Sequence, residues 1–283
     1  MNRTLHAGRF TLKLDRPLIM GVVNITPDSF SDGGRFHDAS EALSGAQRLI
    51  EEGADILDIG GESSRPGAEA VGADEELRRI LPVITALRDA PVPVSVDTAK
   101  PEVMRAALDA GAVMVNDIEA LQAPGALEVV AAGDAAICLM HMQGSPRTMQ
   151  QAPQYGDVVL EVAEFLRLRA DAAMAAGIAH DRIVIDPGFG FGKSVGHNLA
   201  LLRDLRQFSG LGFPMLAGLS RKSLLGAITG RPVDQRLHAS VAAALLAVER
   251  GAAIVRVHDV AATRDALAVW LAVRDGMRAE RPA

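Results

Sequence analysis

A chain of 283 residues, 49% hydrophobic and 23% charged, has the balance of a soluble globular protein with ample material for one large core. Its formal net charge of −6 argues against a basic nucleic-acid surface, so an anionic substrate would have to be met by cations gathered locally. The single cysteine, Cys138, excludes an internal disulfide; within the apolar run Ala135–Met140 it reads as a small buried hydrophobe rather than a nucleophile.

The N-terminus lacks the apolar core of a signal peptide, and no uninterrupted apolar run is long enough to span a bilayer. A cytoplasmic protein with neither membrane nor nucleic-acid partner is therefore expected. Residues 3–15 alternate loosely, with Phe10, Leu12 and Leu14 set against Thr11, Lys13 and Asp15. This predicts a short β-hairpin within residues 1–17, placed to plug the bottom of the larger unit that starts at Leu18.

From Leu18 one pattern recurs: a short apolar run, a polar or Gly-rich loop, then an Ala/Leu-rich helical segment. The eight apolar runs are Leu18–Val23, Ala54–Ile59, Val92–Val96, Val113–Val115, Ala135–Met140, Ile183–Ile185, Phe213–Ala217 and Ala252–Val257. Helices are predicted at about 39–53, 74–89, 101–110, 125–132, 156–177, 198–208, 236–251 and 261–277. Gly53, Gly111, Gly177 and Gly251 stand where helix C-caps belong, and Pro101 opens its helix where a missing N–H costs nothing. Alternating β and α segments imply a parallel sheet with right-handed crossovers, and eight units favour a closed (β/α)8 TIM barrel over an open sheet. The expected organisation is one domain over 1–283, with the barrel at 18–277.

The apolar runs end on polar residues: Asn24, Gly60-Gly61-Glu62-Ser63-Ser64-Arg65, Asp97, Asn116, His141, Asp186, Ser220-Arg221-Lys222 and Arg256-Val257-His258. One such residue is ordinary turn chemistry, and Asp186 before Pro187 could simply cap its own turn. Eight converging strand ends make a ring at the carboxyl face, where parallel α/β folds place their active sites. Arg256 and His258, two apart on one strand, share a face and suit an anion. Other motifs fail on inspection. Gly192-Lys193-Ser194 lacks the first glycine of a P-loop, because Pro187 stands there. Gly188, Gly190 and Gly192 have the wrong spacing for a dinucleotide fingerprint, and Lys222 replaces the closing glycine of a nucleophile elbow. The histidines show no zinc-binding pairs, whereas a Mg²⁺ held largely through substrate phosphate would leave little trace.

Seven blocks are more specific than their chemistry demands. They are Met20-Gly-Val-Val-Asn-Ile-Thr-Pro-Asp-Ser-Phe-Ser-Asp-Gly-Gly34, Asp58-Ile-Gly-Gly-Glu-Ser-Ser-Arg-Pro-Gly67, Ser95-Val-Asp-Thr98, Val115-Asn-Asp-Ile118, Asp186-Pro-Gly-Phe-Gly-Phe-Gly-Lys193, Gly218-Leu-Ser-Arg-Lys-Ser223 and Arg256-Val-His-Asp259. In content and order they resemble the dihydropteroate synthases, over nearly the whole chain from Leu18 onward. The resemblance implies a (β/α)8 barrel that joins p-aminobenzoate to 6-hydroxymethyl-7,8-dihydropterin pyrophosphate in folate biosynthesis. A homodimer is the usual family assembly.

The resemblance further implies a division of labour. Asp97, Asn116, Asp186, Gly218 and Lys222 would bind pterin, with Asp186 accepting both N–H groups of its guanine-like edge. Asn24, Arg256 and His258 would hold pyrophosphate, with Asn24 also serving Mg²⁺. Phe30, Asp32, Ser64, Arg65, Phe191 and Ser223 would form the aminobenzoate pocket, while Arg221 stays open between ligand contact and scaffold ion pair. Asp97, Lys222 and Arg256 are the expected catalytic set. Ser64 departs from the threonine many family members carry; the hydroxyl survives and a methyl contact is lost, which bears on aminobenzoate or sulfonamide affinity. The alternatives are an inactive pterin-binding paralogue and a pterin-binding methyltransferase barrel. The first is disfavoured by the complete set Asn24, Arg65, Asp97, Asp186, Lys222, Arg256 and His258, and the second by the Ser-Arg-Lys and Arg-Val-His blocks, for which it has no use.

Overall fold

The computed structural model describes residues 4–25, 35–63, 67–68 and 70–276. Its first two strands, β1 (Thr4–Ala7) and β2 (Phe10–Lys13), form the expected antiparallel hairpin, with Leu5 opposite Leu12. Eight further strands follow: β3 (Leu18–Asn24), β4 (Ile56–Gly60), β5 (Val94–Asp97), β6 (Met114–Asp117), β7 (Ala136–Met140), β8 (Ile183–Asp186), β9 (Leu216–Ala217) and β10 (Ile254–Val257). All are parallel, in the order β8-β7-β6-β5-β4-β3-β10-β9. The remaining seam closes where Ile185 bridges Met215 and its N–H donates to Pro214 O at 3.0 Å. Helices α1 (Arg35–Glu51), α2 (Ala73–Ala86), α3 (Pro101–Ala110), α4 (Ala126–Ala131), α5 (Val158–Ala175), α6 (Val195–Arg203), α7 (Ser223–Thr229), α8 (Leu237–Glu249) and α9 (Val260–Asp275) fill the crossovers. This is a (β/α)8 TIM barrel.

The period-2 alternation of a strand sorts the side chains. Ile19, Leu57, Val96, Val115, Ile137, Ile185 and Val255 point outward and pack under the helices. The inward set begins apolar: Met20, Ile56, Met114, Cys138, Val184, Leu216 and Ile254 form a second cluster that Leu5 and Ala7 of the hairpin seal from below. One inward step further along the strands the chemistry changes. Ile56 is followed by Asp58, Met114 by Asn116, Val184 by Asp186 and Ile254 by Arg256. The same alternation thus lays an apolar floor and a polar ceiling inside one cylinder.

Two elements differ from expectation. The run Phe213–Ala217 yields only a two-residue strand, because Pro214 has no N–H for the ladder. The predicted 198–208 segment divides into α6 and a 3-10 stretch, Leu205–Leu211.

Candidate active site

Register brings the strand ends together. Asn24 lies beside Gly60, Gly60 beside Asp97 and Asp97 beside Asn116. Arg256, on β10, reaches across the mouth of the barrel: Nε donates to Asp58 Oδ2 at 2.6 Å and Nη2 to Asp97 Oδ2 at 2.6 Å. Asn116 Nδ2 donates to the same Asp58 oxygen at 2.9 Å. Side chains of β4, β5, β6 and β10 therefore form one hydrogen-bonded network. Asp58 is fully buried, and its Oδ1 has no hydrogen-bond partner among the described residues. A buried acceptor in that position suits an incoming donor.

On the other side stand Asp186 and Lys222. Asp186 Oδ1 accepts from Gly188 N at 2.7 Å, so the turn-capping role is real but uses one oxygen; Oδ2 is uncommitted among the described residues. Lys222 Nζ donates to Phe189 O and lies 4.7 Å from the centroid of the Phe191 ring. The turn delivering Lys222 has Arg221 at φ +59°, a left-handed conformation costly for a side-chain-bearing residue. Arg221 N donates to Ser240 Oγ at 2.9 Å and its guanidinium pairs with Asp259 (2.5 and 3.1 Å), an ion pair that holds that turn. His258 Nδ1 lies 3.0 Å from Ser220 Oγ, so the β10 end is tied to the same turn. Ser223 is exposed at the start of α7, Gly218 is buried beneath Arg256 and Lys222, and Asn24 is half-buried at the rim. Phe30, Asp32, Ser64 and Arg65 lie outside the described residues.

Three carboxylates, Asp58, Asp97 and Asp186, face two cations in this low-dielectric ring. Burial pushes Asp97 up, to about 7, with Arg256 opposing and Asp58 reinforcing the shift. Burial also raises Asp186, against the pull of Lys222. Lys222 itself is pulled down by burial to about 8, while Asp186 acts to retain its proton. Burial works against the Arg256 charge, but Asp58 and Asp97 outweigh it and hold the guanidinium ionised. Perturbed groups of both signs, each within electrostatic reach of the others at a barrel's carboxyl face, mark a site built for electrostatic chemistry.

A hollow of about 590 Å³ at the opposite pole, lined by Arg16, Phe213 and Trp270 among others, contains none of these groups. Among the described residues no three His, Cys, Asp or Glu side chains are placed to hold a metal ion. The neutral amide oxygen of Asn24 is a hard donor suited to a Mg²⁺ whose other ligands are phosphate and water.

Comparison with known proteins decides the family. The family profile described as "Pterin binding enzyme" matches residues 20–258. A dihydropteroate synthase of Haemophilus influenzae is 51% identical over 269 residues, covering 95% of this chain and 98% of that one. The chain belongs to the dihydropteroate synthase family. Among solved structures, Xanthomonas albilineans dihydropteroate synthase with 4-aminobenzoic acid is 55% identical, with TM-score 0.92 over 97% of this chain and 99% of that one. Burkholderia cenocepacia dihydropteroate synthase complexed with 7,8-dihydropteroate is likewise 55% identical, with TM-score 0.88 over 96% of each chain.

Two groups in this synthase-family site carried no expected role. Asp58 sits in an apolar run that reads as strand body, yet its parity with Gly60, two residues on, places it inside the barrel. Lys100 Nζ joins Glu62 to the buried Glu76, with 2.6 Å to Glu76 Oε2, anchoring the start of the loop after β4. That contact had no sequence signal, because Lys100 comes from the crossover after β5 while Glu62 and Glu76 lie far apart in the one after β4.

Proposed function

We propose that the chain condenses 6-hydroxymethyl-7,8-dihydropterin pyrophosphate with p-aminobenzoate, giving 7,8-dihydropteroate and pyrophosphate. The observation that carries this reading is the Asn116–Asp58–Arg256–Asp97 network facing Asp186 and Lys222 across one barrel mouth. The 4-aminobenzoic acid and 7,8-dihydropteroate complexes of the relatives support it.

In this reading the free oxygen geometry of Asp186 receives the amine and ring N–H of the pterin, a paired charge-assisted contact that rejects rings lacking either donor. Asn116 supplies donor and acceptor to the far edge, and Lys222 faces the pterin carbonyl with Gly218 allowing close approach. Arg256 turns Nη1, the amino group not engaged by Asp58 or Asp97 among the described residues, toward pyrophosphate alongside His258. Asn24 would offer its amide oxygen to Mg²⁺, which when bound neutralises charge on the departing phosphate. The C–O bond breaks with its electron pair leaving on pyrophosphate. The ring stabilises the exocyclic methylene cation, the aniline nitrogen attacks it, and that nitrogen then loses a proton. Asp97 stands nearest to the role of cation stabiliser. Phe191, Ser223, Ser64, Arg65, Phe30 and Asp32 are assigned to aminobenzoate. No nucleophilic side chain is required, so catalysis reduces to positioning and electrostatics.

Incubation with both substrates and Mg²⁺ tests this directly: equal amounts of dihydropteroate and pyrophosphate are expected, and pterin binding without either product would leave only a binding protein.

Asp97→Asn separates function from fold. Turnover is expected to fall by about 100-fold, as for loss of one preorganised electrostatic group. Burial pushes the Asp97 carboxyl up to about 7 in the folded chain, against an ordinary 3.8. Between those values the folded chain keeps a proton that the unfolded chain has released, so stability falls as pH rises through the window. The variant should therefore be more stable than the parent by roughly 1–3 kcal/mol at pH 8 and equal to it near pH 3.5. Urea unfolding at both pH values checks the sign.

A homodimer in the cytoplasm is the setting this reading favours. No helix among the described residues is long and apolar enough to cross a membrane. Exposed Leu199, Ile228 and Leu246 on the neighbouring helices α6, α7 and α8 offer an apolar surface for a second copy. Light scattering at micromolar concentration should give twice the 29.8 kDa chain mass.

A further inference from the structure

The glycine-rich turn after β8 is held by a side chain at each carbonyl from Gly188 to Gly192. Lys193 Nζ donates to Gly188 O and Phe191 O, both at 2.9 Å. Lys222 Nζ donates to Phe189 O, Gln150 Nε2 to Gly190 O, and Tyr155 Oη to Gly192 O at 2.8 Å. The turn's amides are tied as well, Gly188 N to Asp186 and Gly190 N to Asn198 Oδ1, each at 2.7 Å.

Lys193 lies under this turn, 2% exposed, and forms no ion pair with a carboxylate among the described residues. Besides the two carbonyls, its Nζ lies 2.9 Å from His141 Nδ1 and 3.2 Å from His141 O. Burial and the lysine charge push the His141 pKa down to about 3, which keeps the imidazole neutral and able to accept. The backbones meet here as closely as chains allow: a Cβ on Gly188 (φ +69°) would stand 1.9 Å from His141 O. Lys193 is thus the pin between the ends of β7 and β8. The proposed chemistry gives it no task.

We propose that Lys193 is a positioning residue of the synthase site. By gripping Gly188 O, Phe191 O and His141 together, it fixes the turn that carries the Phe191 ring and the Phe189 carbonyl. Through that carbonyl it fixes the Lys222 ammonium, so one buried amino group sets both the aminobenzoate wall and the pterin-facing lysine. The proposal rests on the synthase reading above.

Lys193→Met keeps the stem and removes every donor, whereas Lys193→Gln restores N–H donors without charge. The measurements are KM for p-aminobenzoate, kcat, the Kd of 6-hydroxymethylpterin by calorimetry, and Tm. Lys193→Met is expected to raise both KM and Kd by about tenfold or more in a cooperatively folding protein, with Lys193→Gln intermediate, because displacement of groups next to substrate is amplified at the reacting centre. A lowered Tm with KM and Kd within about twofold of the parent would make Lys193 a packing residue and overturn the proposal. Should Lys193→Met not fold, Lys193→Gln decides: a KM raised about three- to tenfold supports positioning, and an unchanged KM refutes it. A parent protein that binds pterin but forms no dihydropteroate would instead refute the synthase reading, leaving the pterin Kd comparison to judge Lys193.

Discussion

Asp186→Asn is expected to weaken pterin binding by about 2–5 kcal/mol, roughly 30-fold to several thousand-fold in Kd, with little change in Tm. The asymmetry follows from how the carboxylate is used. Its Oδ1 caps the turn through Gly188 N at 2.7 Å, and an asparagine carbonyl can take over that bond. The second position becomes an NH₂, which presents donors to the donor edge of a pterin. Loss of a charged partner and donor-to-donor opposition then act together at a buried site. Replacing Asp186 also removes the carboxylate that helps Lys222 retain its proton, so the Lys222 pKa should drop further below about 8. Calorimetry with 6-hydroxymethylpterin measures the first effect, and a variant binding as the parent does would remove Asp186 from the pocket.

Arg256→Met should instead damage the fold, by roughly 3–5 kcal/mol, because it strands charges that the guanidinium now compensates. Asp58 is fully buried and Asp97 partly so, and both lose a 2.6 Å partner at once. Arg256→Lys is not a remedy, since a point charge on a shorter donor set cannot bridge two carboxylates from Nε and Nη2. The cost has a specific antidote. Adding Asp97→Asn removes one stranded charge, so the double variant should be more stable at pH 8 than Arg256→Met alone, while remaining inactive. If Arg256→Met unfolds within about 1 kcal/mol of the parent, the network is solvated and contributes little.

The barrel was legible because strands covered on both faces are mostly apolar until they emerge. Val115 stays apolar and Asn116 does not, and the same break occurs at Ile185 and Asp186. That signal located both the strands and the ring of functional ends. It over-read Phe213–Ala217, where hydrophobicity continued but Pro214 removed a ladder donor. It passed over Asp58, since a charge inside Ala54–Ile59 looks like an interruption until its inward parity is counted. Lys193 showed as part of a failed P-loop and as the end of the block from Asp186, with no role in either, because contacts made by a side chain folded back under its own turn leave no periodic trace. The paired loops carrying Phe30, Asp32, Ser64 and Arg65 were assigned by resemblance alone, and those four residues lie outside the described structure.

Side chains far apart in the chain must meet one pterin for this chemistry to work. The most direct test is a single calorimetric series with 6-hydroxymethylpterin on Asp97→Asn, Asp186→Asn and Lys222→Met, whose positions lie on β5, on β8 and after β9. All three should lose about tenfold or more in affinity while retaining cooperative unfolding. Any one of them binding within twofold of the parent would place that residue outside the pocket and contradict the shared site.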